Sequence, residues 1–375
     1  MSHKEQVNLG SFYTPPHIVD LTYALLFKAC GDIGDYTILE PSCGTGAFLT
    51  GAKGKKIVAA DIDETALEIA RGKFPSVSFF HSNALHDVSR QKYGIQDDEK
   101  LVIIGNPPYN DKTSQAKKSM KSGQIFQVDD DIKSRDIGLS SMLAYEKLHA
   151  DYVAILHPLA YLIKKTNFTA VGKFMKNYKL REALVFNSQE FSNTSKLSAF
   201  PVAVAVYERN AVGTKYEDIW EWKFETLEGD VFSMSDFDYI GSYIDKYPNK
   251  AAQNTGEDIL FYTMRDINAL KRSRTFIGED IPNAIHIDKA DLDYYCYVDA
   301  FKWLVSKDLP YYYGNFDIPI NNAGFDDVRS CFRKIALHRH PDILKGKIDD
   351  VALSIEYATD VAREYFAKLI KGVDR

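Results

Sequence analysis

Ile38-Leu39-Glu40-Pro41-Ser42-Cys43-Gly44-Thr45-Gly46-Ala47-Phe48 opens as a strand, closes in a turn of small residues and leads into a helix. Gly44 and Gly46 permit close backbone approach, and the exposed amides of such a turn can face a polar ligand. Alone, the turn is as well explained by an ordinary strand-to-helix connection. The dinucleotide fingerprint fits badly, because Leu49 stands where its third glycine belongs. The next segment sharpens the reading. Lys56-Ile57-Val58-Ala59-Ala60-Asp61-Ile62-Asp63 is a second strand ending in an acid, and a carboxylate beside a glycine turn can accept both hydroxyls of a ribose. Asp63 is placed to cap the helix that follows.

Outward from these two strands, β-branched or apolar runs alternate with helical stretches. Strands are expected at Tyr36 to Leu39, Ile57 to Ala60, Val77 to Phe80, Leu101 to Ile104, Tyr152 to Leu156, Ala183 to Phe186 and Val202 to Tyr207. Helices are expected near Pro16 to Ala29, Asp63 to Gly72, Gly138 to His149 and Val171 to Asn177, with Pro16 suited to a first helical turn. This is the pattern of an α/β protein with a seven-stranded, mostly parallel, Rossmann-like sheet. After Tyr207 the sequence turns acidic and aromatic without regular alternation. We therefore expect two domains, residues 1–211 and a second, α+β domain at 212–375.

The chain has 375 residues, 45% of them hydrophobic, more than one compact domain usually holds. No stretch approaches the roughly 20 apolar residues of a membrane span, and the N-terminus lacks an apolar signal core. A cytoplasmic location is the expectation. Cys30, Cys43, Cys296 and Cys331 lack CxxC or zinc-ligand spacing and read as reduced and structural. The formal charge of −6 argues against coating nucleic acid by bulk electrostatics. Residues 111–200 nonetheless carry 14 Lys plus Arg against 9 Asp plus Glu, whereas residues 211–375 carry 21 against 29. The polar stretch Asn110 to Ile137, with Lys112, Lys117, Lys118 and Lys121, reads equally as a solvated excursion or as a DNA-contacting loop.

Chemistry enters at Leu101-Val102-Ile103-Ile104-Gly105-Asn106-Pro107-Pro108-Tyr109, a buried strand that stops at two prolines and presents an aromatic ring. The prolines hold the backbone extended and fix Asn106 relative to Tyr109. An aromatic amino nitrogen is a poor nucleophile because its lone pair is delocalised. Acceptors on its two hydrogens, the Asn106 amide oxygen and the Pro107 carbonyl, would draw it toward tetrahedral geometry. Tyr109 would stack on the base, a contact of roughly 1–3 kcal/mol that offsets the cost of flipping it out of a duplex.

These residues resemble the amino-methyltransferases that modify exocyclic nitrogens in DNA, over roughly the first 210 residues. Phe12-Tyr13-Thr14-Pro15-Pro16 resembles the motif that closes over the methionine part of the cofactor, Glu40 to Gly46 the glycine motif, Asp61 the ribose-binding acid, and Asn106 to Tyr109 the catalytic motif. Their order is similar to the adenine-N6 subgroup called gamma, and Asn rather than Ser before Pro-Pro-Tyr favours adenine over cytosine. The resemblance implies S-adenosylmethionine as cofactor, held by Tyr13, Thr14, Glu40, Pro41, Gly44, Gly46, Asp61, Ile62, Asn83 and Asn106. It implies catalysis by Asn106, Pro107 and Tyr109, and base contacts from Pro108, Tyr109 and Phe191, with Phe200 competing for the last role. Asn83 stands where the family commonly has an acid. The implied partners are double-stranded DNA and a cognate restriction endonuclease, without metal. The rival reading is an RNA or protein-glutamine methyltransferase with the same motif.

In the second domain the resemblance implies target recognition. Arg265, Lys271, Arg272, Arg274 and Arg339 are candidates for reading base edges, although a solvated surface role is the commoner fate of each. The runs Tyr294 to Tyr297 and Tyr311 to Tyr313 could stack on bases but more often build a core. His338 and His340 lack the companions a metal site needs.

Overall fold

The computed structural model describes residues 14–109, 127–191, 199–248 and 259–370. The chain forms two compact units, Met1–Ser233 and Met234–Arg375.

In the first unit, α1 (Pro16–Cys30) starts on Pro16 and ends at Gly31, whose φ of 72° suits a residue without Cβ. There follow β1 (Thr37–Glu40), β2 (Lys56–Asp61), α2 (Glu64–Lys73), β3 (Ser78–His81) and β4 (Leu101–Gly105). Next come α3 (Ile137–Lys147), β5 (Tyr152–Pro158), the short helices α4 (Ala160–Ile163), α5 (Lys165–Ala170) and α6 (Gly172–Asn177), then β6 (Tyr178–Asn187) and β7 (Pro201–Arg209). All seven expected strands lie in one sheet. Asp63 caps α2 by accepting from the amides of Thr65 and Ala66. A single 3₁₀ turn, Phe48–Gly51, stands where a helix was expected after the glycine turn.

Two corrections concern extent. Past residue 211, α7 (Tyr216–Trp220) leads into β8 (Phe224–Thr226) and β9 (Val231–Phe232); β8 pairs with β6 and β9 with β8. The sheet therefore has nine strands among the described residues, in the order β3-β2-β1-β4-β5-β7-β6-β8-β9, and the first unit runs to Ser233.

Strands β1 to β5 are parallel, and β7 runs antiparallel between β5 and β6. The chain winds from β1 outward through β2 and β3, then returns to place β4 on the other side of β1. That reversal opens a crevice beyond the carboxyl ends of β1 and β4, where ligands bind in open α/β sheets. One sheet face packs on Ile18, Val19, Tyr23 and Leu26 of α1, through Ile38, Val102, Ile104, Leu156, Phe186, Val202 and Val204. Behind β1 and β2, Leu67 of α2 joins Cys43, Leu49 and Ala59. Toward the other face of β7, Phe174 of α6 meets Tyr207 edge-on at 5.0 Å.

The second unit combines β10 (Asp238–Tyr239) paired with β14 (Pro319–Ile320), and a small sheet of β11 (Leu260–Tyr262) between β12 (Phe276–Ile277) and β13 (Ala284–His286). Its helices are α8 (Ile267–Arg272), α9 (Leu292–Leu304), α10 (Asn322–Arg339), α11 (Pro341–Leu344) and α12 (Ile355–Leu369). Tyr297 centres an aromatic core with Phe325, Phe332, Tyr365 and Phe366, and Tyr294 stacks on Phe325 at 4.6 Å. The Tyr294 to Tyr297 run is thus core-building. His340 Nε2 donates to Asp299 Oδ1 at 2.9 Å, while His338 is exposed. Among the described residues, no helix is long and apolar enough to cross a membrane.

Candidate active site

The carboxyl ends of β1, β2 and β4 bring together Glu40, Asp61 and Gly105. Register places Glu40 opposite Ala59, two residues before Asp61, and Leu39 opposite Ile103, two before Gly105. A Cβ on Gly105 would lie 3.5 Å from Glu40 Cγ, so the residue just before Asn106 packs against the Glu40 side chain.

Asp61 organises the turn. Its Oδ2 accepts from the Gly44 amide at 2.7 Å and its Oδ1 from the Asp63 amide at 2.9 Å. Gly44 and Gly46 take φ of 52° and 85°. At Gly46 a Cβ would also approach Phe74 Cε2 to 2.8 Å, so this position excludes a side chain on two grounds. Burial raises the Asp61 pKa, and the two amides partly offset it.

Glu40 is 2% exposed, and among the described residues its buried Oε2 has no hydrogen-bond partner. Burial, then the charge of Asp61, raises its pKa well above the usual carboxylate range. A buried acceptor left open costs about 1–3 kcal/mol, so this oxygen is complementary to a donor or cation entering the crevice. Ile62, next to Asp61, is 51% exposed and offers an apolar surface at the same edge.

On the β4 side, Asn106 Nδ2 donates to Thr14 Oγ1 at 3.2 Å, and Thr14 is itself buried. The Tyr109 hydroxyl donates to Asn106 Oδ1. Pro107 is buried, while Pro108 and Tyr109 are half-buried. Burial raises the Tyr109 pKa, so the phenol is neutral across the working range. The structure thus brings Thr14, Glu40, Pro41, Gly44, Gly46, Asp61, Ile62 and the Asn106 to Tyr109 segment to one edge of the sheet. Tyr13, with Phe12, lies outside the described residues.

Two candidates sit differently from expectation. Asn83 Oδ1 accepts from the Leu85 amide at 3.0 Å and its Nδ2 donates to the Gln127 carbonyl at 2.7 Å, so its amide pins a loop at both ends. Phe191 is 2% exposed and packs edge-on to Phe186 at 5.5 Å within the α1 core, whereas Phe200 is half-buried at its margin. Of the two rings, Phe200 keeps the accessible surface.

A second group was not read from the sequence. The Tyr161 hydroxyl donates to Asp136, which caps α3 through the Gly138 amide at 2.8 Å. Tyr161 stacks on His157 at 5.5 Å, and His157 bonds the Tyr207 hydroxyl at 2.8 Å. Burial pushes the His157 pKa down to about 4, leaving a neutral ring at the end of β5. Burial and Asp136 raise the Tyr161 pKa, with Tyr109 contributing, which puts the Tyr161 phenol near Tyr109. The Asp136 cap before Ile137 was the only signal in the sequence.

His86, Asp87 and Asp129 are grouped closely enough to hold a metal ion. Asp129 is already committed, accepting from the Asp87 and Val88 amides and from Lys147 at 3.1 Å. Burial opposes its ionisation, yet these partners hold its pKa at about 2. That is the chemistry of a structural ion pair.

Comparison with known proteins adds three findings. Residues 1–173 match the family model described as N-6 DNA Methylase. The type II methyltransferase M.CvrRI of Paramecium bursaria Chlorella virus XZ-6E is 35% identical over 114 residues, covering 29% of this chain and 27% of that protein. The type II methyltransferase M.VspI of Vibrio sp. (strain 343) is 34% identical over 109 residues, 28% of this chain and 26% of that protein. The chain thus spans about a quarter of the length of these curated relatives. Among solved structures, the methyltransferase subunit of a type I restriction-modification system from Streptococcus thermophilus aligns with a TM-score of 0.41 and 16% identity, covering 60% of this chain and 48% of that one.

Proposed function

We propose, from a chain whose residues 1–173 match the N-6 DNA methylase family, that the protein transfers a methyl group from S-adenosylmethionine to the N6 amino group of an adenine in double-stranded DNA. What supports this reading is that the Asn106 to Tyr109 segment follows Gly105, which packs against Glu40 at the sheet edge that also carries Gly44 and Asp61.

The crevice suits the cofactor on three counts. Asp61 holds both oxygens at the end of β2 with lone pairs left for ribose hydroxyls. The open Glu40 oxygen, beside a second carboxylate, favours a ligand carrying positive charge. Ile62 gives an apolar face for an adenine ring. When bound, S-adenosylmethionine supplies an electrophilic methyl on a sulfonium centre.

The chain's residues do the rest. Thr14 holds the Asn106 amide by its Nδ2, leaving Oδ1 as the acceptor. In the structure, the Tyr109 hydroxyl donates to that acceptor. An arriving amino group takes its place, and the Tyr109 ring becomes free to stack on the base. Asn106 Oδ1 and the Pro107 carbonyl then accept the two amino hydrogens and localise the nitrogen lone pair. Asn106 is neutral and Tyr109 stays protonated, so neither removes a proton beforehand; the neutral amino nitrogen would take the methyl as the carbon–sulfur bond breaks and a neutral thioether leaves, its proton then passing to water. Positioning and desolvation supply most of the rate.

The second unit is read as the target-recognition domain. A modification role beside a restriction endonuclease follows the same reading, as does a cytoplasmic location. The test incubates the protein and methyl-labelled S-adenosylmethionine in parallel with duplex DNA, RNA and protein. Label in DNA alone supports the reading; label in RNA or in protein glutamine favours the rival.

A further inference from the structure

The second unit is acidic, with 19 Lys and Arg against 23 Asp and Glu over residues 234–375. Against that background, Lys271-Arg272-Ser273-Arg274 puts three cations in four residues at the end of α8. Lys302 of α9 donates to the Ser273 carbonyl, which joins a second basic segment to the first. Burial lowers the Lys302 pKa, Asp299 opposes this, and Arg339 and Lys307 lower it further, so both cations stand close by.

Trp303 lies among them, 40% exposed. The Arg339 guanidinium sits 5.1 Å from its ring centroid. Arg339 Nε is fixed by Asp299 at 2.8 Å, and Asp299 is fully buried, also accepting from Thr275 Oγ1 at 2.6 Å. The ring is thus held from behind by an anchored cation. Among the described residues, the exposed Arg272, Arg274 and Lys307 make no ion pair.

We propose that this face, formed by Arg272, Arg274, Lys302, Trp303, Lys307 and Arg339, is a docking surface for the phosphate backbone of duplex DNA. The proposal rests on the reading of the chain as a DNA methyltransferase and names the surface of the second unit that meets the substrate. Arg272, Arg274 and Lys307, which have no ion-pair partner among the described residues, repel each other and would be relieved by phosphates. Trp303, pinned on one side, keeps a flat apolar surface for a sugar or base.

The experiment measures binding of the full chain to a fluorescent mixed-sequence duplex across a salt series. For Arg272→Gln, Arg274→Gln and Lys307→Gln combined, the slope of log affinity against log salt falls by about 2 to 3, at about 0.9 per phosphate contact. Trp303→Ala weakens binding about fivefold or more with the slope unchanged, because stacking carries no counterion term. Circular dichroism and S-adenosylmethionine affinity stay as in the wild type, which separates lost contacts from lost fold. An unchanged slope in the triple variant, with the wild type methylating DNA, overturns this surface and leaves the activity standing. A wild type that neither binds nor methylates DNA overturns the activity itself.

Discussion

Replacing Asp61 by Asn removes one charge without changing shape, and the geometry states what must break. Both carboxylate oxygens accept backbone amides, Oδ2 from Gly44 at 2.7 Å and Oδ1 from Asp63 at 2.9 Å. An asparagine has one oxygen, so its NH₂ must face one of those N–H groups, donor against donor. A hydrogen bond to a charged group contributes about 1.5–3 kcal/mol, and one is lost outright. The unfolding free energy should fall by that amount, read as a lower urea midpoint. In the complex, the variant also presents one acceptor instead of two to the ribose, a second loss of about 1.5–3 kcal/mol. This corresponds to a rise in cofactor Kd of about 10- to 150-fold by calorimetry. Turnover at saturating cofactor should stay within about threefold, since the Asp61 oxygens bond the Gly44 and Asp63 amides of the glycine-turn side. Kd within threefold of wild type, with stability lowered as stated, would refute the ribose role and reduce Asp61 to a brace for the turn.

Asn106→Ala should lower kcat by about 10²- to 10³-fold, the usual cost of one preorganised polar partner, with cofactor Kd within threefold; equal loss of both would show the roles to be misassigned. Glu40→Gln tests the buried carboxyl. Its pKa is raised in the fold, so its contribution to stability is complete below the usual carboxylate range and is lost as pH rises through the raised value. Urea midpoints of the cofactor-free wild type should therefore decline on that rise, and those of Glu40→Gln should decline less. Affinity for the cationic cofactor should increase with pH in the wild type and change less in the variant. Gly46→Ala should cost about 2–5 kcal/mol, from a φ of 85° and the approach to Phe74, whereas Gly44→Ala, with open space at its Cβ, should cost only about 1–2 kcal/mol. Equal effects at the two glycines would contradict the packing of the turn.

The first unit was legible because its signals are local. Each of the seven long strands is an apolar run closed by turn residues, and Pro16 and Asp63 announce the helices they start. Strands β8 and β9, of three and two residues, are too short to show a period, and acidic residues around them suggested a new domain. The 3₁₀ turn at Phe48–Gly51 replaces a helix because few residues separate the glycine turn from β2. In the site, motif residues that are close in sequence were found; those joined only by the fold were not. Asp136, His157, Tyr161 and Tyr207 come from different elements, and their hydrogen bonds and stacking follow from the order β4-β5-β7 rather than from any spacing. Asn83 and Phe191 show the converse. Both stand where a ligand contact was expected, but nearby backbone groups and core rings already occupy them.

The most direct measurement is mass spectrometry of nucleosides from duplex DNA incubated with the protein and S-adenosylmethionine bearing a deuterated methyl. A clamp formed by Asn106, Pro107 and Tyr109 beside the Asp61 crevice predicts deuterated N6-methyl-2′-deoxyadenosine with the wild type and an initial rate about 10²- to 10³-fold lower with Asn106→Ala. Label on cytosine, or equal label from both proteins, would contradict it.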